Sequence, residues 1–147
     1  KPRGYGYLIP SFEGKEVLGV LFESNIFPHR CRSDQVLFRV MIGGDRNPKA
    51  LAKTKEELIT LAENDVKAVM GVNNKENLQD IVGEPFFVRW EKAIPQYDLA
   101  HCQAVKTIEE ELKNIPGLHL GANYLGGVSV NDCIENAYNT ACRSSTT

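Results

Sequence analysis

The sequence predicts an α+β chain in which an antiparallel or mixed sheet is accompanied by helices, and three observations carry that prediction. Three apolar runs rich in β-branched and aromatic residues precede residue 43 and are separated by Gly, Pro, Asn and Ser. A helix-start pattern follows at Thr54. A strand-like run, a double glycine and an amphipathic run then close the chain.

In order, residues 5–9, 17–22 and 36–42 have the length and composition of three strands of a meander. Thr54-Lys55-Glu56-Glu57 is a capping box, in which the Thr hydroxyl and the Glu carboxylate each satisfy an amide at the helix start. Leu58, Leu61, Ala62, Val66 and Val69 then recur at helical spacing until Gly71, which can close the helix in the left-handed conformation. Residues 85–90 read as a further strand. It cannot continue past Pro95, which lacks the donor a central strand needs. Asp98 is placed to cap a helix carrying Leu99, Cys102, Val105, Ile108 and Leu112, which stops near Pro116. Residues 118–122 predict the last strand and 130–141 the last helix, with Ile134, Ala137, Tyr138 and Ala141 on its buried face. The polar residues 144–147 are expected to fray.

The composition narrows the function classes. With 147 residues, 42% hydrophobic and 24% charged, the chain can bury about one domain's core. No run approaches the ~18 consecutive apolar residues of a membrane-spanning helix and no basic-apolar leader opens the chain, so a soluble chain is expected. A formal net charge of −2 with no basic patch argues against nucleic-acid binding. Cys31, Cys102, Cys133 and Cys142 lack Cys-x-x-Cys spacing and are expected as buried free thiols in a reducing compartment. His29, His101 and His119 have no second ligand at metal-binding spacing, so no metal site is predicted, and His119 should be a surface or satisfied polar residue.

The segment from Gly117 to Asp132 carries the most specific chemistry. A strand, then Gly126-Gly127, then a helix opening at Ser129 leaves backbone N–H groups uncovered beside a stretch without side-chain bulk, a geometry suited to an anion or a polarised carbonyl. An ordinary strand-to-helix turn has the same pattern. Ser129 also fits the N-cap role, with Asp132 three positions on. Trp90, the only tryptophan, stands just before Ala93-Ile94-Pro95-Gln96-Tyr97; as an isolated feature it reads equally as a buried aromatic at a strand end.

Five pieces of the chain, in order and at comparable spacing, resemble the C-terminal third of the protoporphyrinogen oxidase family. They are Gly4-Tyr5-Gly6-Tyr7-Leu8-Ile9-Pro10-Ser11, Val17-Leu18-Gly19-Val20-Leu21-Phe22 with Ile26-Phe27-Pro28, Met41-Ile42-Gly43-Gly44, Trp90 through Tyr97, and Gly127-Val128-Ser129-Val130-Asn131-Asp132-Cys133-Ile134. The resemblance implies an FAD-dependent oxidase that converts protoporphyrinogen IX to protoporphyrin IX, with molecular oxygen or another electron acceptor. It implies that Gly127, Val128, Ser129 and Val130 approach the flavin through their backbone, that Trp90 lies near the cofactor, and that Gly4, Leu8 and Phe22 border the tetrapyrrole. Leu8 and Phe22 read equally well as core residues of the meander. No catalytic side chain is assigned, since the flavin is the electron sink, and no cation stands out in the sequence as partner for the substrate's carboxylates. The triplet Leu99-Ala100-His101 departs from the family's usual glycine at its centre.

By the same resemblance, residues 1–96 belong to a substrate-binding domain, and residues 97–147 supply a helix and the strand-turn-helix of a Rossmann-like FAD domain. The G-x-G-x-x-G turn that cradles the pyrophosphate in such proteins does not occur in these residues, so a C-terminal fragment, itself inactive and without stoichiometric FAD, is expected. Its partner would be the remainder of the parent chain. The parent would associate with a mitochondrial, plastid or bacterial membrane. Apolar faces left over would drive homodimerisation or a repacking of the last helix on the meander. Two other classes are compatible with the residues: another oxidoreductase of the flavin amine oxidase superfamily, and a non-catalytic module that binds a porphyrin or a protein.

Overall fold

In the computed structural model, which describes residues 2–71 and 83–144, the early apolar runs pair into one antiparallel sheet of order β1-β2-β3. The strands are β1 (Gly6–Leu8), β2 (Val17–Phe22) and β3 (Phe38–Ile42), so β2 has the expected bounds and its neighbours are shorter. In register, Tyr7 faces Val20 and Val20 faces Val40, whereas Leu8 faces Gly19 and Gly19 faces Met41. A bulge interrupts β2 between Val17 and Gly19.

Strand alternation turns this register into two unlike faces. Val17, Val20 and Phe22, together with Ile9, form the buried core, against which Tyr7, Phe38, Val40 and Ile42 pack from the sheet and Leu61, Val66 and Met70 from a helix. Val17 and Val20 are 1% and 0% exposed, and full burial of such a side chain contributes about 1.5–3 kcal/mol. The Phe22 ring meets Tyr7 and Phe38 edge-on at centroid distances of 6.1 and 5.4 Å.

A short helix α1 (Glu23–Ile26), which the sequence pattern does not announce, turns the chain after β2. Helix α2 (Lys55–Met70) begins at the expected capping box: the Glu57 amide donates to the Thr54 hydroxyl at 3.2 Å and the Thr54 amide to the Glu57 carboxylate at 2.7 Å. Gly71 ends it at φ 67°. Asp65 is buried on this helix, accepting from the Tyr7 hydroxyl at 3.3 Å, with Lys15 Nζ at 3.7 Å. Val69, expected on the apolar stripe, is half exposed.

The chain divides into two compact units, Lys1–Glu91 and Lys92–Thr147. The second holds α3 (Leu99–Leu112) and α4 (Val130–Ser144). Asp98 caps α3 as its sequence position implies, accepting from the His101 amide at 2.7 Å.

Several expectations are corrected. Residues 85–90 and 118–122 form no strand. Both have strand-like composition, but a strand exists only through a ladder, and neither segment finds one among the described residues. Arg89 instead anchors its segment by donating to the Leu51 and Lys53 carbonyls at 3.1 and 2.6 Å. On α4 the apolar stripe is uncovered: Ile134 and Tyr138 are 63% and 70% exposed, and Ala137 and Ala141 are exposed too. The four cysteines are free thiols, but none is buried. The Nε2 atom of His119 is enclosed without a hydrogen-bond partner. Ser144 completes α4, and residues 145–147 of the expected frayed tail lie outside the described residues. Among the described residues no helix is long and apolar enough to cross a membrane, and no group of three His, Cys, Asp or Glu could hold a metal ion.

Candidate functional site

The glycine turn before α4 is built from inside by side chains of its own unit. Gly126 and Gly127 have φ of 80° and 146°, values that L side chains seldom adopt. A Cβ on Gly127 would overlap the Asp132 carboxylate, and one on Gly126 would lie 3.3 Å from the Asn136 amide. The left-handed backbone at both positions, and at Gly127 the packing of Asp132, therefore favour glycine independently of any ligand. Asn136 donates to the Leu125 carbonyl, and Leu125 donates its amide to Ala122 O at 3.0 Å.

Ser129 and Asp132 form a reciprocal cap. The Asp132 amide donates to the Ser129 hydroxyl at 3.1 Å, and the Ser129 amide to Asp132 Oδ2 at 3.0 Å. Hydrogen bonds from the Ser129 side chain, and secondarily its amide, hold the Asp132 carboxyl below the usual carboxylate range. The Ser129 hydroxyl is thus engaged in capping. Tyr97, which ends the Ile94-Pro95-Gln96-Tyr97 segment, reaches this turn: its hydroxyl donates to Asn123 O at 2.7 Å and accepts from the Gly127 amide at 3.1 Å. Its ring stacks on His101 at 4.6 Å with planes 8° apart, one turn into α3.

Internal partners thus occupy the amides of Gly127, Ser129 and Asp132. The amides of Val128, Val130 and Asn131 donate to nothing among the described residues. Three donors at the positive end of a four-turn helix, flanked by two glycines, fit an electron-rich ring edge of the kind a flavin presents. Of the four residues whose backbone the resemblance brings to a flavin, Gly127 and Ser129 have their amides taken internally and Val128 and Val130 keep theirs bare among the described residues, and Ser129 contributes the cap and not a free hydroxyl.

The first unit contains the other anticipated residues. Phe22 is 5% exposed and belongs to the core, so it borders no open space. Its neighbour Leu21 points to the opposite face, in a row with Gly6 and Arg39; the adjacent row is Leu8, Gly19 and Met41. Apart from Arg39, the residues of these two rows are apolar or glycine. A Cβ on Gly19 would lie 2.7 Å from Tyr7 O and 2.8 Å from Leu8 Cδ2, so the bare glycine lets the Leu8 side chain lie across it. Leu8 is 76% exposed. Gly4, at φ 87°, has open space where its Cβ would be, and its carbonyl accepts from Asn25 at 2.8 Å. Trp90 is 70% exposed, which corrects the reading of a buried aromatic. Leu21, Met41 and the bond of Tyr97 to the Gly127 turn escape the sequence reading; period-2 alternation from Leu8 across paired strands is the signal that finds the first two.

The family model described as "Flavin containing amine oxidoreductase" matches residues 5–144. Over 144 residues, 95% of this chain, the sequence is 35% identical to "Protoporphyrinogen oxidase, chloroplastic" of Nicotiana tabacum and covers 25% of that protein. It is 33% identical to "Protoporphyrinogen oxidase, mitochondrial" of the same plant over 144 residues, 94% of this chain and 27% of the relative. "Coproporphyrinogen III oxidase" of Bacillus subtilis (strain 168) is 23% identical over 133 residues, 90% of this chain and 27% of that one. The chain spans about a quarter of the length of the curated relatives it matches.

Proposed function

Because this chain belongs to the flavin-containing amine oxidoreductase family, we propose that it forms part of an FAD-dependent oxidase acting on protoporphyrinogen IX to yield protoporphyrin IX. The observation that carries this reading is the similarity to plant protoporphyrinogen oxidases across 95% of the chain. FAD, when bound, supplies the hydride-accepting ring. The chain's part is to present donors to that ring and a wall to the substrate.

The bare amides of Val128, Val130 and Asn131 are positioned to stabilise negative charge on a ring edge, with Gly127 leaving room for the Asp132 carboxylate and Ser129 fixing the helix start. Trp90 stands near the cofactor in this reading, supported by its exposure. The residues from 97 onward would contribute to a Rossmann-like flavin domain, and residues 1–96 to the substrate domain. For the substrate, the sheet face on which the exposed Leu8 stands beside the half-buried Leu21 and Met41, with Gly4 at one end, has the apolarity that a tetrapyrrole disc requires. Phe22 supports that wall from the core side. Oxygen or another acceptor would reoxidise the flavin, the remaining sequence of the oxidase and a second copy of it would cover the exposed α4 stripe, and the parent would associate with a membrane, in a plastid or mitochondrion if it follows the names of these relatives.

Anaerobic mixing of the full-length gene product with protoporphyrinogen, followed by flavin absorbance, tests the reading. Bleaching by protoporphyrinogen and not by amines is expected. Reduction by an amine alone would move the protein to another branch of the family.

A further inference from the structure

We propose that Arg39 recognises a carboxylate at the margin of the open sheet face and selects, among flat apolar ligands, those that carry an acid tail. The inference rests on the reading of that face as a tetrapyrrole wall. Register puts Arg39 on this face, directly across from Leu21 and in the row beside Leu8, Gly19 and Met41, so one cation borders an otherwise apolar shelf.

The guanidinium is held in place from below. Its Nη2 lies 2.7 Å from Glu23 Oε1, and Glu23 is 3% exposed at the start of α1. The second oxygen of Glu23 is taken by Arg30 Nη1 at 2.9 Å, and the Arg30 guanidinium lies 4.0 Å over the Phe27 ring. Two guanidinium groups therefore share one carboxylate. The cluster keeps one net positive charge, although a buried carboxylate would need only one partner to be neutralised.

Arg39 also keeps unused donors. A guanidinium has five N–H groups in a rigid fork, and among the described residues Arg39 makes no ion pair besides the one to Glu23. Its side chain is 57% exposed, whereas Glu23 is enclosed, so the free part of the fork is the part a ligand can reach. Glu23 is the positioning residue, and Arg39 the group that would touch the ligand. An acid tail running off the edge of the Leu8–Leu21–Met41 shelf meets a preorganised donor pair there.

The test is a fluorescence titration of the full-length gene product with protoporphyrin and with its dimethyl ester, whose tails are neutral methyl esters in place of carboxylates. The wild-type protein should bind the acid more tightly, and Arg39→Gln should reduce the acid-to-ester affinity ratio by about tenfold, the loss of a charge-assisted hydrogen bond. Arg39→Lys, which keeps the charge and loses the fork, should fall between. An unchanged ratio in Arg39→Gln overturns the proposal, as does a wild-type protein with no preference for the acid. If the Gln variant does not fold, Arg39→Met, which retains the apolar stem, is read by the same ratio and the same criterion. A wild-type protein that fails to oxidise porphyrinogen would count against the proposed activity, while the ratio still decides the role of Arg39.

Discussion

The Tyr97 hydroxyl accepts a hydrogen bond from the Gly127 amide at 3.1 Å, so the residue that precedes the α3 cap also fixes the glycine turn before α4. With its own proton donated to Asn123 O, this one oxygen joins two loop segments. Tyr97→Phe should cost about 1 kcal/mol in unfolding free energy. It should also speed hydrogen exchange at Gly127. Unchanged protection at that amide would show that the turn holds itself.

The cap of α4 should respond to acid. Asp132 has a carboxyl pKa below its usual range, so its contribution is fully present above the unfolded-state pKa and is lost as pH falls through the lower folded-state value. Ser129→Ala should cost about 1 kcal/mol of helix stability at neutral pH. It should also flatten the acid dependence of helicity, followed by far-UV circular dichroism from about pH 6 down to about pH 2. A variant with the wild-type acid profile would contradict the assignment.

An opposite dependence is expected in the first unit. Burial, then the charge of Asp65 and the hydrogen bond to it, push the Tyr7 hydroxyl up to about 12 from 10.0. The folded state holds this proton more tightly than the unfolded chain, so the stabilisation is complete below pH 10 and disappears as pH rises toward about 12. Tyr7→Phe should be less stable at neutral pH and should lose less stability between those values. Denaturant melts across the range check it; parallel loss in both proteins would refute the coupling.

Gly19→Ala tests the open sheet face. A methyl group there would sit 2.8 Å from Leu8 Cδ2 and 2.7 Å from Tyr7 O, the second of which is backbone and cannot swing aside. A destabilisation of about 1–3 kcal/mol is expected, with displacement of Leu8 visible in its methyl chemical shifts. Leu18→Ala beside it serves as a control without that clash.

The local signals that the sequence displays are the ones that need no partner. Thr54 and Glu57, or Asp98, satisfy amides within three residues, and both helices begin where those residues stand. Residues 118–122 have strand composition too, yet a strand needs a ladder from elsewhere, and composition cannot supply one. Phe22 and Leu21 show the same limit at the candidate wall: both are large and apolar, and only the pairing of Leu21 with Gly6 and Arg39 reveals which of them leaves the core. The apolar period of α4 correctly marks a helix, but Ile134 and Tyr138 remain exposed, because periodicity identifies a stripe and not what covers it. The bond of Tyr97 to Gly127 escapes the sequence for a different reason: it spans 30 residues.

The flavin-facing role of the α4 start is tested most directly by Val130→Pro in the full-length gene product. Proline is well tolerated at the first helical position, so the substitution deletes one bare amide and leaves the helix in place. If that amide stabilises charge on the reduced ring, the flavin reduction potential should fall by about 30 mV, which for a two-electron couple corresponds to about 1.4 kcal/mol. An unchanged potential, with α4 helicity intact, would contradict it.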